Sequence, residues 1–364
     1  MVSRRRSDLL PQYFCTTAIL ATMNRRPIDS CGIAQYHDRV NFEKLGRASH
    51  SLPSNSQINF GLQGQKSSRG HDGKRHCVHV LRSQMAKLLQ VRNLSVRFRS
   101  SKAETREAVA GVSFDIAPGE VVGLMGESGC GKSTTALALL GLLGEEDSVV
   151  GGSVRFRGRE LLSMDERSLE KIRGAQISLV SQEPGIALSP VLRVGDQIVE
   201  VLRAHEKCSR KQCRTESESW LARVGLVPTN RFYSAFAHQL SGGQLQRVVL
   251  AQALACGPEL VIADEPTAAL DAVNQAEFLA LLRNLKMELG ISVLLISHAP
   301  EIQAALADRV LVMNAGRIVE QGSFGDLYRN PAHAYTRALL RPCPQPGKSG
   351  TLTTETIAEE LFAE

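Results

Sequence analysis

The chain has 364 residues, enough for about two domains, of which 43% are hydrophobic and 22% charged, an ordinary composition for a globular protein. No run of about 18 consecutive apolar residues occurs, so no segment reads as a membrane-spanning helix. The formal charge of +6 sits in residues 1–84, which hold 13 Lys and Arg against 5 Asp and Glu. The remainder is slightly acidic, which leaves bulk charge no case for nucleic-acid binding.

Residues 1–84 are rich in Ser, Arg, Gln, Asn and Gly and keep no period of 2 or 3.6, so they read as a disordered basic extension. The opening Met1-Val2-Ser3-Arg4-Arg5-Arg6 suggests targeting, but Pro11, Gln12, Thr16 and Thr17 break the apolar stretch behind it and argue against a secretory signal. His71, His76, Cys77 and His79 could ligate a metal; in a basic tail the cluster reads as incidental. Strong patterning starts at Met85, which reads as the natural start, with residues 1–84 an upstream extension of the reading frame. The eight cysteines (15, 31, 77, 130, 208, 213, 256 and 343) form no C-x-x-C pair, and reduced thiols are expected.

Leu88 to Phe98 alternates apolar and polar, with one slip near Asn93, as a half-buried strand should. Val112–Ile116 and Ser153–Arg157 predict two more strands of an antiparallel layer, the second bounded by Gly151-Gly152 and Gly158. Phe98 could stack on a nucleotide base or pack in the core, since both roles use the same apolar face.

The apolar run Val121–Met125 leads into Gly126-Glu127-Ser128-Gly129-Cys130-Gly131-Lys132-Ser133 and then Thr134–Leu140, which reads as a helix. Strand, G-x-x-x-x-G-K-S and helix in that order predict a phosphate-binding loop. Its glycines let backbone N–H groups crowd a polyphosphate, and the helix N-terminus, through Thr134, adds donors and partial positive charge. Lys132 can reach the β- and γ-phosphates, and the Ser133 hydroxyl can ligate Mg²⁺. Cys130, near a helix N-terminus and Lys132, is expected to favour its thiolate, so that alkylation inhibits and bound ATP protects.

Ile177–Val180 predicts a buried strand ending at Ser181-Gln182-Glu183-Pro184. From Gly185 to about Leu240 the pattern is helical, with amphipathic helices over Val194–His205 and Glu216–Val224. Leu240-Ser241-Gly242-Gly243-Gln244-Leu245-Gln246-Arg247 opens a long apolar helix through Cys256. Leu260–Ala263 is a central-strand run ending in Asp264-Glu265, a position where doubly wound sheets bind ligands. Asp264 is placed to hold the Mg²⁺ shell and Glu265 to polarise the attacking water. A helix over Val273–Leu289 follows Asp271, and the buried strand Ser292–Ser297 ends at His298, expected to contact the γ-phosphate. Arg309–Met313 and Arg317–Glu320 predict a hairpin around Asn314-Ala315-Gly316. The tail, 346–364, is polar.

These motifs in order resemble the ATP-binding subunit of ABC transporters, over about residues 86–345. The phosphate loop is Gly126–Ser133, the Q-loop centres on Gln182, and the signature is Leu240-Ser241-Gly242-Gly243-Gln244. Asp264-Glu265, the D-loop Ala269-Leu270-Asp271 and the switch His298 follow. The resemblance implies an α/β fold: a P-loop NTPase (RecA-like) core at 85–345 with an antiparallel β subdomain and an inserted α-helical subdomain at about 186–240. It implies a head-to-tail dimer with itself or a paralogue, with ATP between the phosphate loop of one subunit and Ser241, Gly242, Gly243 and Gln244 of the other. Gln182 would then sense Mg²⁺ and the attacking water, and Asp271 would link the two sites. It implies two integral membrane permease subunits as partners and, indirectly, a solute-binding protein. The location implied is peripheral, on the cytoplasmic face of the cell membrane.

Within the family, three stretches are most similar to importers of peptides and nickel: Glu183–Val191, Ala315–Gly322 and Asn330–Leu340. Departures are Ser181 where an aromatic is common, Ala299 where Asp usually follows the His, and Asn314 where Tyr is frequent. Some relatives carry a four-cysteine iron–sulfur site near the C-terminus; Cys343 alone lies there, so no cluster is expected. An exporter ATPase is disfavoured by the C-terminal extension. A soluble ABC protein acting on nucleic acid or ribosome is disfavoured by the single motif set and the lack of heptads between Lys132 and Ser241. A P-loop kinase or GTPase would not need LSGGQ.

Overall fold

The computed structural model describes residues 87–99, 105–144 and 148–340. The basic extension, the His71–His79 cluster, Met85, Cys343 and the polar tail lie outside the described residues.

Two sheets carry the chemistry. The smaller holds β1 (Leu89–Arg99), β2 (Thr105–Ile116), β4 (Ser148–Phe156) and β5 (Arg159–Glu160) in the order β2-β1-β4-β5, all antiparallel. The alternation of β1 buries Leu89, Val91, Leu94 and Val96 on one face. The slip at Asn93 is a bulge: Asn93 has φ 49° and the register shifts between Val91 and Leu94. Both partner strands run longer than the pattern suggested. Strand β4 takes in Gly151 and Gly152 instead of starting after them, because Gly152, at φ 101°, lies against the backbone of that same bulge.

The larger sheet adds β3 (Val121–Met125), β6 (Ile177–Val180), β7 (Leu260–Asp264), β8 (Ser292–Ile296), β9 (Arg309–Asn314) and β10 (Arg317–Gly322) in the order β10-β9-β3-β8-β7-β6. All neighbours are parallel except the edge hairpin β9–β10. Strands β3 and β8 are buried at every position, which is why they read as unbroken apolar runs. Strand β8 lies between β3 and β7, so the phosphate-loop, histidine and acidic strands are consecutive within the sheet, none of them at its edge.

The α-helices among the described residues are α1 (Lys132–Leu139), α2 (Glu166–Glu170), α3 (Pro184–Ala187), α4 (Val194–His205), α5 (Arg210–Arg223), α6 (Thr229–Ser234), α7 (Gly242–Leu254), α8 (Ala272–Leu289), α9 (Pro300–Leu306), α10 (Phe324–Arg329) and α11 (Ala334–Leu340). Helix α4 buries Val194, Ile198, Val201 and Leu202, one stripe of the 3.6 period. Helix α5 begins six residues before the expected Glu216. Its start is set by a capping box, Ser209 with Gln212, and its polar sequence hides the buried Cys213, Trp220 and Leu221. Burying side chains such as Trp220, Phe232 and Ile198 is worth about 1.5–3 kcal/mol each.

The cysteine expectation needs correction. Cys208 and Cys213 form a disulfide across the start of α5, their Cα atoms 5.9 Å apart. One turn of helix brings the two side chains together, a proximity that C-x-x-C counting does not find. Cys130 and Cys256 are free thiols. No helix among the described residues is long and apolar enough to cross a membrane.

Candidate functional site: a phosphate-loop cavity at the strand ends

The phosphate loop joins β3 to α1. Gly131 caps the helix at φ 110°, and a Cβ there would sit 2.4 Å from the Ala108 carbonyl oxygen, so only glycine fits. The loop is held from the side by the β9–β10 turn: Gly316 N–H donates to Cys130 O at 2.9 Å, and Ala110 N–H to Gly316 O at 2.8 Å. Lys132 is only 6% exposed, and its ammonium donates to Gly126 O at 2.7 Å and Glu127 O at 2.9 Å. The buried cation is thus held by the loop's own carbonyls, beside the space a phosphate would take. The far end of α1 is fixed by Arg173, whose buried guanidinium donates to Leu140 O at 2.7 Å and Gly141 O at 2.8 Å and pairs with Glu166.

A cavity of about 780 Å³ opens over the loop. Glu127, Ser128, Gly129, Gly131, Lys132, Ser133 and Thr134 form its floor. Phe98, Gln182, Glu265 and His298 come to it from four separate elements. Of the two roles foreseen for it, Phe98 takes the packing one, against the core of the antiparallel layer, and it also lines the cavity.

The acidic pair divides its work. Ser133 Oγ donates to Asp264 Oδ1 at 3.2 Å. Burial pushes the Asp264 carboxyl above its ordinary range; Ser133 lowers it in part, and the Glu265 charge adds to the rise. Glu265 has φ 47°, a conformation disfavoured for any side chain other than glycine, and its backbone N–H donates to Ile296 O at 2.9 Å. That twist turns its carboxylate toward the neighbouring strand end. There His298 Nδ1 lies 2.7 Å from Oε1 and 2.9 Å from Oε2, and the His298 backbone N–H donates to Oε1 at 3.2 Å. The imidazole is exposed, while the Glu265 side chain is 10% exposed.

The donors Ser133 Oγ, Asp264 and Gln182 are hard oxygens of the kind Mg²⁺ takes, and a buried carboxylate beside a hydroxyl suits a cation. Among the described residues no three His, Cys, Asp or Glu cluster as a protein-only metal cage.

The remaining predicted residues lie elsewhere. Ser241 caps α7 in a capping box with Gln244: Ser241 N–H donates to Gln244 Oε1 at 3.0 Å. Ser241 and Gly242 are exposed, and none of Ser241, Gly242, Gly243 and Gln244 lines the cavity. Asp271 caps α8, accepting from Asn274 N–H at 2.9 Å and Asn274 Nδ2 at 2.7 Å; these bonds hold its carboxyl below its ordinary value. Gly243 lies beside Asn274, so the signature and the D-loop share one surface, apart from the phosphate loop of the same chain. Gly126 and Cys130 belong to the loop without lining the cavity.

The Cys130 expectation is reversed. Its side chain turns inward and is buried, and burial raises the thiol pKa more than Lys132 lowers it. The resting group is a thiol, not a thiolate.

Sequence reasoning missed two contributors from the far end of the chain. Tyr335 Oη accepts from Glu127 N–H at 3.0 Å, and Leu339 lines the cavity. The Asn330–Leu340 stretch was noticeable, but nothing local places it 208 positions back.

The family model described as ABC transporter matches residues 109–268. A probable peptide ABC transporter ATP-binding protein of Sinorhizobium fredii is 45% identical over 258 residues, 71% of this chain and 77% of that protein. The chain belongs to the ABC transporter ATP-binding family. The dipeptide transport ATP-binding protein DppD of Bacillus subtilis is 42% identical, covering 74% of this chain and 81% of DppD. The oligopeptide transport ATP-binding protein OppD of Escherichia coli is 41% identical over 74% of this chain and 79% of OppD. Among solved structures, the ATP-binding cassette MJ0796, dimeric and bound to ADP and Pi, aligns with a TM-score of 0.59 and 28% identity, over 65% of this chain and 98% of that one. CbiO1 of Clostridium perfringens, part of the ABC transporter complex cbiONQ, aligns at 0.57, with 28% identity, over 67% and 92%. The P-loop NTPase fold expected from the motifs is therefore the fold of this ABC cassette, which binds and hydrolyses ATP.

Proposed function

We propose that this ABC cassette powers import of peptides through membrane subunits, hydrolysing MgATP at a site completed by a second cassette. What carries the reading is the division of the motifs. The phosphate loop, Gln182, Glu265 and His298 converge on one cavity, while Asp271 and the exposed start of the signature helix, Ser241 and Gly242, lie outside it. A second cassette, identical or paralogous, packed head to tail would bring its Ser241 hydroxyl, Gly243 amide and α7 N-terminus to the open side of the nucleotide. The MJ0796 cassette is dimeric and bound to ADP and Pi, which supports pairing of two cassettes.

Backbone N–H groups of the loop and Lys132 hold the β- and γ-phosphates. Ser133, Asp264 and Gln182 would hold Mg²⁺, which neutralises charge developing on the transferred phosphoryl group. Glu265 accepts the proton of the attacking water, and His298, fixed through Nδ1 to that carboxylate, presents its other nitrogen toward the γ-phosphate. Phe98 stacks on the base.

The partner reading has its own support. Ile186, Val191 and Leu192 are 47%, 78% and 45% exposed in the segment just after Gln182. An apolar surface coupled to the catalytic glutamine suits a short helix of a membrane subunit. The relatives named above carry peptide, dipeptide or oligopeptide in their names, so peptides are the solute class proposed, ahead of nickel. The location is the cytoplasmic face of the membrane.

The test is to pull the full chain from gently solubilised native membranes. Two polytopic permeases, with or without a second cassette, are expected. Recovery of ribosomal or DNA-bound proteins alone would overturn the import reading and leave the ATPase standing.

A further inference from the structure

The C-terminal helix α11 reaches the catalytic loop of this cassette through one hydrogen bond and one apolar contact. Tyr335 Oη accepts from Glu127 N–H at 3.0 Å. The carbonyl of the same residue accepts from Lys132 Nζ at 2.9 Å and from Cys130 N–H at 3.3 Å. Glu127 is thus held at both ends, its N–H by the helix and its C=O by the phosphate-binding lysine. One turn beyond Tyr335, Leu339 forms part of the cavity wall together with Phe98 and Lys132.

The helix is not loosely placed. The Glu320 carboxylate accepts from the Ala332 N–H at 2.8 Å and the His333 N–H at 3.0 Å, which fixes the turn into α11. Leu340 is buried in a cluster with Phe324, Leu327, Val310 and Met125, the residue just before the loop. Burial raises the Tyr335 phenol above its ordinary value, so it is a neutral acceptor throughout the physiological range.

We propose that Tyr335 is a positioning residue for ATP binding. By accepting from the Glu127 N–H it fixes the Gly126–Glu127 peptide, whose Gly126 carbonyl holds Lys132 at 2.7 Å, and with Leu339 it makes α11 a wall of the nucleotide site. Coupling of this kind is reciprocal, so nucleotide binding also stabilises the docking of α11. The inference rests on ATP binding by this cavity and is independent of what is imported.

Glu127 is exposed, so water would replace the lost acceptor and the effect is bounded. Tyr335→Phe in the full chain keeps the ring and removes only the oxygen. The expected result is a rise of about three- to tenfold in both the dissociation constant of MgATP and KM, the worth of one hydrogen bond. The kcat at saturation stays within about twofold, since the phenol touches no reacting group. The nucleotide-free melting temperature is unchanged. Hydrogen exchange of residues 331–340 should slow on adding MgATP in the wild type and respond less in the variant. Leu339→Ala should weaken binding in the same direction. An unchanged dissociation constant in Tyr335→Phe, or exchange in α11 indifferent to nucleotide, would overturn the proposal. So would weaker binding matched by a fall in nucleotide-free stability, which would make the phenol a structural prop only.

Discussion

Replacing Glu265 by Gln isolates the proposed base from everything else in the site. The amide has the same shape, and its carbonyl oxygen can still accept from the His298 backbone N–H, as Oε1 does at 3.2 Å. The residue is already committed to φ 47° by the Glu265 N–H to Ile296 O bond, so the backbone has no reason to relax. What disappears is the proton acceptor and one negative charge. A positioned general base is worth about 10²- to 10⁴-fold in rate, which is about 2.7–5.4 kcal/mol of barrier. Because the Glu265 charge helps raise the Asp264 pKa, its neutralisation should also favour the ionised Asp264 carboxylate proposed to hold Mg²⁺. Glu265→Gln is therefore expected to lose at least about a hundredfold in phosphate release at saturating MgATP. It should bind MgATP as tightly as wild type or more so, and accumulate as an ATP-bound dimer on gel filtration. Turnover within threefold of wild type would remove Glu265 as the base.

Asp264→Asn is expected to lose most Mg²⁺-dependent hydrolysis while leaving the nucleotide-free protein as stable or more stable at pH 7. The folded-state pKa is raised above the ordinary 3.8, so ionising Asp264 costs stability above the folded pKa. The gain from Asn should vanish as the pH falls through the folded pKa toward 3.8, and thermal melts between pH 3.5 and 7 read it. Gly131→Ala forces a Cβ to 2.4 Å from Ala108 O and should lower the melting temperature by at least about 3 °C, with ATP binding lost. The buried Cys130 should alkylate more slowly at pH 7.5 than a free thiol such as glutathione, the rate rising as the pH passes 9; a faster reaction would restore the thiolate reading.

The site was legible where the chemistry is local. Phosphate loop, acidic strand end and strand-end histidine each follow a buried strand, and such strands show as unbroken apolar runs. That the three are neighbours follows from the β3-β8-β7 order that the parallel connections produce. What was hidden depends on distance or on glycine. Gly151 and Gly152 looked like a boundary because glycine is a poor strand former, yet they complete β4 opposite the Asn93 bulge. The start of α5 was hidden by the polar run from Arg210 to Ser219, where a capping box sets the helix. The orientation of Cys130 could not be read from a motif that gives only its neighbours. The Glu265–His298 pair was expected as two separate roles and appears as one unit, because a left-handed residue turns the carboxylate across to the next strand.

The most direct test of the central claim is ATP hydrolysis by this chain within its native membrane complex, reconstituted in lipid with the associated solute-binding protein and a peptide mixture. The account predicts that peptide-loaded binding protein raises the ATP turnover of the complex and that Glu265→Gln abolishes both that turnover and peptide uptake. Turnover indifferent to the membrane subunits and to peptide would contradict it.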